Sequence, residues 1–191
     1  MAKKRQFIGK KKKKIWIRVF APKEFKNAEL GKTRSYDSES TIGRKIKCNY
    51  STLIGDSKRQ QVELGFRIVK SSEGQADTEV YEYKIWQSYL KRAIKKTRTK
   101  IDDSFECLTK DKVKVKIKPF IIIKNIIHKS LQTEIRKKMK ESLIKTCQDI
   151  TFTEMVQELI KYNIQKDIKN IIKKLAPIGN LEIRHFIQIK A

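Results

Sequence analysis

Leu181-Glu182-Ile183-Arg184-His185-Phe186-Ile187-Gln188-Ile189-Lys190 is the stretch that decides the fold. Leu181, Ile183, His185, Ile187 and Ile189 alternate with Glu182, Arg184, Phe186, Gln188 and Lys190. A period of two predicts a strand, with His185 on its apolar face. The residues before it repeat at helical spacing instead. Leu131, Ile135, Met139 and Leu143 fall four apart, on one face of a helix running to Lys145. Thr151-Phe152-Thr153-Glu154 has the form of a capping box, opening a helix to about Tyr162. Ile164, Ile168, Ile171, Ile172 and Leu175 mark a third helix, stopped by Ala176-Pro177-Ile178-Gly179. A strand that returns after helices is expected to rejoin an earlier sheet.

That earlier sheet is legible in the first half. Ile15–Phe20 is strand-like and stopped by Ala21-Pro22, and residues 23–43 are polar and read as an irregular loop. Strands are expected at 44–50 and 61–70, with a turn at 71–77 leading to a fourth at 78–83. Ile85, Trp86, Tyr89, Leu90, Ala93 and Ile94 recur as a short amphipathic helix with a basic outer face. Two more strands, 98–108 and 112–123, flank the hairpin-like Thr109-Lys110-Asp111. In the second, Val113, Val115 and Ile117 alternate with Lys112, Lys114, Lys116 and Lys118, giving one core face and one lysine ladder. Pro119 has no N–H for a ladder, so it marks an edge, a bulge or a strand end. The fold class is therefore α+β: residues 15–127 mostly β with one helix, 128–176 helical, 180–190 a strand. Residues 1–14 read as a basic arm without a fold of its own, and 15–191 as one domain.

Charge narrows the function. Lys and Arg number 46 against 21 Asp and Glu, a formal net charge of +25 on 191 residues. A compact domain so basic repels itself and calls for a polyanion, most commonly nucleic acid. The hydrophobic share of 39% supports a core and excludes a wholly disordered basic tail. The longest apolar stretch, Phe120–Ile127, is broken by Lys124 and Asn125 and is too short to span a membrane. No secretory leader is expected, because no apolar run follows the basic start. Cys48, Cys107 and Cys147 lie far apart with no CxxC pair, which fits buried reduced thiols in a cytosolic protein.

Material for catalysis is sparse. His128 opens the long helix, and His185 is expected to be packed or RNA-facing. Asp102 and Asp103 are neighbours on a strand and point to opposite faces, so they do not converge. Neither metal-ligand spacing nor a phosphate-binding glycine loop is present, and no cofactor or metal is expected.

What remains is basic residues on regular elements. The candidate RNA-binding set is Lys3, Lys4, Arg5, Lys10, Lys11, Lys12, Lys13 and Lys14 in the arm, with Arg92 and Lys96 at the short helix. It continues with Lys112, Lys114, Lys116 and Lys118 in the ladder, then Arg136, Lys137 and Lys140 on the long helix. The ladder shows no acid in its own run except Asp111 at the rim. Trp16, Phe25, Tyr36 and Tyr50 could stack on bases, but aromatics in such positions are usually core. Charge spread over arm, sheet and helices predicts a protein set among several RNA elements, with phosphate contacts dominating.

The chain resembles the archaeal and eukaryotic small-ribosomal-subunit proteins of the S-one-e type, called S-three-a in eukaryotes. The likeness starts with the basic arm and Trp16, Ala21-Pro22, Phe25, Gly31-Lys32-Thr33 and Gly43-Arg44. It is strongest in Gln132 followed by Ile135-Arg136-Lys137-Lys138-Met139, and closes with Ile164, Lys166-Asp167-Ile168, Pro177 and Ile183-Arg184. The resemblance implies a β-barrel-like core with flanking helices, no enzymatic activity, and a cytoplasmic place on the platform of the small subunit near the messenger exit. Its partners would be small-subunit ribosomal RNA, neighbouring ribosomal proteins and messenger RNA near the exit. The short arm and the end at Ala191 resemble archaeal members more than eukaryotic ones. The rival expectation is a non-ribosomal RNA-binding accessory or processing factor.

Overall fold

A computed structural model of the chain describes residues 13–55, 59–72 and 74–189. The elements run β1 (Ile15–Phe20), β2 (Glu29–Ser35), β3 (Lys45–Asn49), α1 (Tyr50–Ile54), β4 (Val62–Ser72), β5 (Gln75–Ile85) and α2 (Gln87–Ala93). There follow β6 (Thr99–Asp102), β7 (Phe105–Leu108), β8 (Lys114–Ile123), α3 (Lys129–Asp149), α4 (Phe152–Lys161), α5 (Asn163–Lys173) and β9 (Ile178–Gln188). The α+β class and the returning last strand are as expected. The chain groups into two compact units, one of the residues up to Lys45 with Arg67–Glu79, the other of Ile46–Phe66 with Val80 onward.

In the first unit β1 pairs antiparallel with β2 and, over Arg18–Phe20, parallel with Gln75–Asp77 of β5. Ile17 and Val19 are fully buried on the inner side of β1. The strand β2 corrects the loop expected at 23–43. Its sequence, Glu29-Leu30-Gly31-Lys32-Thr33-Arg34-Ser35, has no apolar alternation because as an edge strand it buries almost nothing. Two single 3-10 turns, Lys23–Phe25 and Glu39–Thr41, flank it.

In the second unit the ladders connect β3, β4, β5, β9 and β8, and β8 carries both β6 and β7 on its far edge. The strand expected at 98–108 is thus two strands, broken at Asp103 and Ser104, each pairing antiparallel with a different half of β8. Among the described residues neither set of ladders closes on itself, so the sheet is open. Gly65 on β4 lies under side chains of β5, since a Cβ there would stand 2.8 Å from Glu82 Cβ and 2.8 Å from Tyr81 Cε1.

The helices cover the side of the sheet on which Phe186 lies. Phe186 is fully buried, and its ring stacks on Phe152 of α4 with centroids 5.1 Å apart. The capping box at Thr151 and Glu154 is formed in both directions. Ile135, Met139, Leu143 and Cys147 make the buried stripe of α3, and Ile164, Ile168 and Ile172 that of α5. Cys147 is buried while Cys48 and Cys107 are half-buried, and Cys107 of β7 lies beside Cys147 of α3.

The alternation of β9 is not what its sequence predicts. Lys118 pairs with His185, but the next residue, Pro119, pairs with Ile183, so Arg184 is an extra residue bulged out of the ladder. Pro119 lacks the N–H that an unbroken ladder needs, which explains why the bulge sits opposite it. An extra residue reverses the phase of a strand. Leu181 and Ile183 are buried before the bulge, and after it Phe186 takes the core position. His185 is therefore not on the apolar face; it lies among charged groups on the other side.

Candidate nucleic-acid interface

Lys118 on β8, His185 on β9 and Lys84 on β5 are direct register partners across three adjacent strands. Residues opposite one another in a ladder share a face, so these three form a row. The next row along is Lys116, Ile187 and Glu82. Lys47 of β3 reaches Glu82 at 3.3 Å, and Lys84 reaches Glu63 of β4 at 3.9 Å. Between Lys84, Gln87, Lys118, Arg184 and His185 lies a shallow hollow of about 280 Å³ with Glu82 behind it. Its rim donors have the size and charge to seat a phosphate.

Glu82 keeps this cluster ionised in the right places. Its burial pushes the carboxyl up, but hydrogen bonds from His185 and Tyr81 and the charge of Lys47 outweigh that and hold it below the usual carboxylate value. His185 is held low, by burial first and by the nearby Lys118 and Lys84, against the pull of Glu82. Its neutral ring donates Nε2–H to Glu82 Oε1 at 2.7 Å. A phosphate arriving beside Lys118 would add negative charge and favour the imidazolium.

The ladder itself is less free than the β8 sequence suggests. Glu106 on β7 stands opposite Lys116, and its carboxylate binds Lys114 at 2.9 Å and Lys116 at 3.5 Å. Counting back from the hairpin would have found it. Lys112 has left the strand for the turn, with φ of 59°. Lys118 makes no ion pair among the described residues.

The other candidates are placed separately. Arg136, Lys137 and Lys140 are exposed on α3, where Lys138 is paired to Glu134 and Lys140 lies over the Phe105 ring at 5.9 Å. Arg92 on α2 and Lys96 just past it are exposed. Lys3, Lys4, Arg5, Lys10, Lys11 and Lys12 lie outside the described residues, as does most of the arm. Lys13 is exposed, and Lys14 lies over the Tyr36 ring at 5.0 Å. In the same unit Arg34 lies over Trp16 at 5.7 Å. Trp16 is 62% exposed and Tyr36 51%, against the expectation that such aromatics are core; Phe25 is buried. The sequence reading missed Lys47, Lys84, Arg184 and His185 as members of the basic face, because only strand order brings them together.

Comparison with known proteins identifies the family. The profile of the Ribosomal S3Ae family matches residues 2–191. The small ribosomal subunit protein eS1 of Saccharolobus islandicus is 31% identical over 172 residues, covering 90% of this chain and 83% of the relative. The eS1 protein of Nanoarchaeum equitans is 31% identical over 175 residues, covering 92% and 88%. That of Saccharolobus solfataricus is 30% identical over 172 residues. With a profile match over nearly its whole length, the chain belongs to the Ribosomal S3Ae family.

Proposed function

We propose that this protein is a structural constituent of the small ribosomal subunit that holds ribosomal RNA mainly through phosphate contacts. The observation that carries the reading is the family match over residues 2–191, with relatives named for that subunit. The half-buried row Lys84, His185, Lys118, with Lys47 and Arg184 beside it, is the surface that fits such a role. Lys114 and Lys116 extend the same face, and the arm, Lys112, Arg92 and Lys96, and Arg136, Lys137 and Lys140 supply further cations. The role is non-enzymatic and cytoplasmic, with neighbouring ribosomal proteins as partners and a position by the platform and messenger exit. The arm at 1–14 binds RNA through its cations, and residues 15–191 carry the fold.

Sedimentation tests this reading. One copy per small subunit that stays bound through a high-salt wash is the expected result. Release of the chain into the free pool, or its association only with precursor RNA, would favour an accessory or processing factor. Roughly six to ten phosphate contacts should cost the isolated chain on the order of a thousandfold in RNA affinity between about 50 and 200 mM salt.

A further inference from the structure

A second feature of the larger unit has a different chemistry from the lysine face. Two hollows share Gln61, Tyr89 and Asn180 and together form one cleft, whose inner part is about 500 Å³. It opens because β5 and β9 stay paired only where Glu82–Lys84 meets His185–Ile187. Beyond the bulge at Arg184 the two strands part. Trp86, 44% exposed, stands at the lip. Glu182, 8% exposed, lies at the inner end with Arg59 and Lys169 beside it.

A buried carboxylate opening into a cleft calls for donors. Tyr162 Oη is within reach of Glu182, but its proton goes to the Leu181 carbonyl at 2.7 Å. Lys169 Nζ spends one proton on the Gly179 carbonyl at 3.2 Å. Glu182 thus faces the cleft with the Arg59 and Lys169 cations beside it, and Tyr162 gives its proton elsewhere.

We propose that this cleft takes an unpaired guanine base of RNA, stacked on Trp86 with its Watson–Crick edge on Glu182. Guanine alone among the four bases presents two adjacent N–H donors, N1–H and the N2 amino group, to a two-oxygen acceptor. Its O6, next to them, suits the cations Lys169 and Arg59. Adenine and cytosine set a ring lone pair beside their amino donor, and uracil flanks its N–H with two carbonyl oxygens. Each of these turns a lone pair toward the carboxylate. Stacking on an exposed aromatic is the usual way a protein holds an unpaired RNA base.

Protonation supplies a signature. Burial, opposed by the neighbouring Arg59 and Lys169 charges, pushes Glu182 up to about 7. The facing tyrosines, Tyr83, Tyr89 and Tyr162, are all pushed above their ordinary range and stay neutral there. Guanine binds the ionised carboxylate, so its advantage grows as pH rises through the neutral range.

This inference rests on the RNA-binding reading, and one titration separates the two. The intact chain is titrated with short oligouridines carrying a single central G, A, C or U, all of equal charge. The G oligomer should bind about tenfold tighter than the others at about pH 8, with a smaller margin at about pH 6. Glu182→Gln and Trp86→Ala should each shrink the margin, and the second changes a side chain at the lip rather than a packed one. Equal, salt-dependent binding of all four oligomers would overturn the guanine site and leave the phosphate account standing. No binding of any oligomer would overturn both.

Discussion

His185 Nε2 donates to Glu82 Oε1 at 2.7 Å, tying β9 to β5 on the face away from the helices. The contact exists because Arg184 is bulged out opposite Pro119. Without that extra residue His185 would point into the core and Phe186 would lose its place against Phe152. A single register irregularity thus builds both the aromatic core contact and the basic row.

The pair predicts how stability depends on acid. His185 is held below its ordinary value in the folded chain, so the unfolded chain binds more protons below about pH 6.5. Glu82 is also held low, and its contribution is present above its ordinary value and lost as pH falls through the folded one. Urea midpoints should therefore drop between about pH 6.5 and pH 4, and His185→Gln should flatten the upper part of that fall. An unchanged profile in the variant would mean that His185 is not held neutral.

Glu182 acts in the opposite sense. Its folded carboxyl is raised to about 7, so the stability linked to its proton is full below the ordinary carboxylate range and is lost as pH rises through 7. Glu182→Gln should leave the midpoint nearly unchanged at about pH 4.5 and raise stability by on the order of 3 kcal/mol above pH 8. A variant less stable at high pH would show that the carboxylate is held by partners rather than strained by burial.

Glu106 ties down two lysines of the ladder. Glu106→Gln should release Lys114 and Lys116 and tighten RNA binding, steepening the salt dependence by about one to two phosphate contacts. Lys118→Gln should do the reverse, lowering the slope by about one. Both are read from RNA affinity across a salt series, and slopes that do not move would place the RNA surface elsewhere.

At Gly65 the prediction concerns packing. An added Cβ meets Glu82 Cβ, which the backbone fixes, and the buried Tyr81 ring, both at 2.8 Å, so Gly65→Ala should cost about 1–3 kcal/mol in urea unfolding. A neutral substitution would mean that β4 and β5 can separate there at no cost.

Much of this fold is written locally. The stripe of α3, the capping box of α4 and the alternation around Val115 and Ile117 depend on residues close in sequence, and the structure carries each as read. What was not legible depends on partners. β2 looks like a loop because an edge strand needs no apolar face, and its hydrogen bonds come from β1. The facing of His185 turns on a proline in another strand. Glu106 could have been paired with Lys116 by counting back from the turn at Thr109. Lys84 and Glu182 join their sites only once β9 is inserted between β5 and β8, which no local period announces.

The central claim is that the face bearing Lys84, His185 and Lys118 lies on ribosomal RNA. A crosslinking map of the chain on intact small subunits tests it most directly. Crosslinks from RNA to Lys84, Lys118 and Arg184, absent from free protein, are the predicted result. A map in which RNA reaches only α3 or the arm, while this face stays open to solvent, would contradict it.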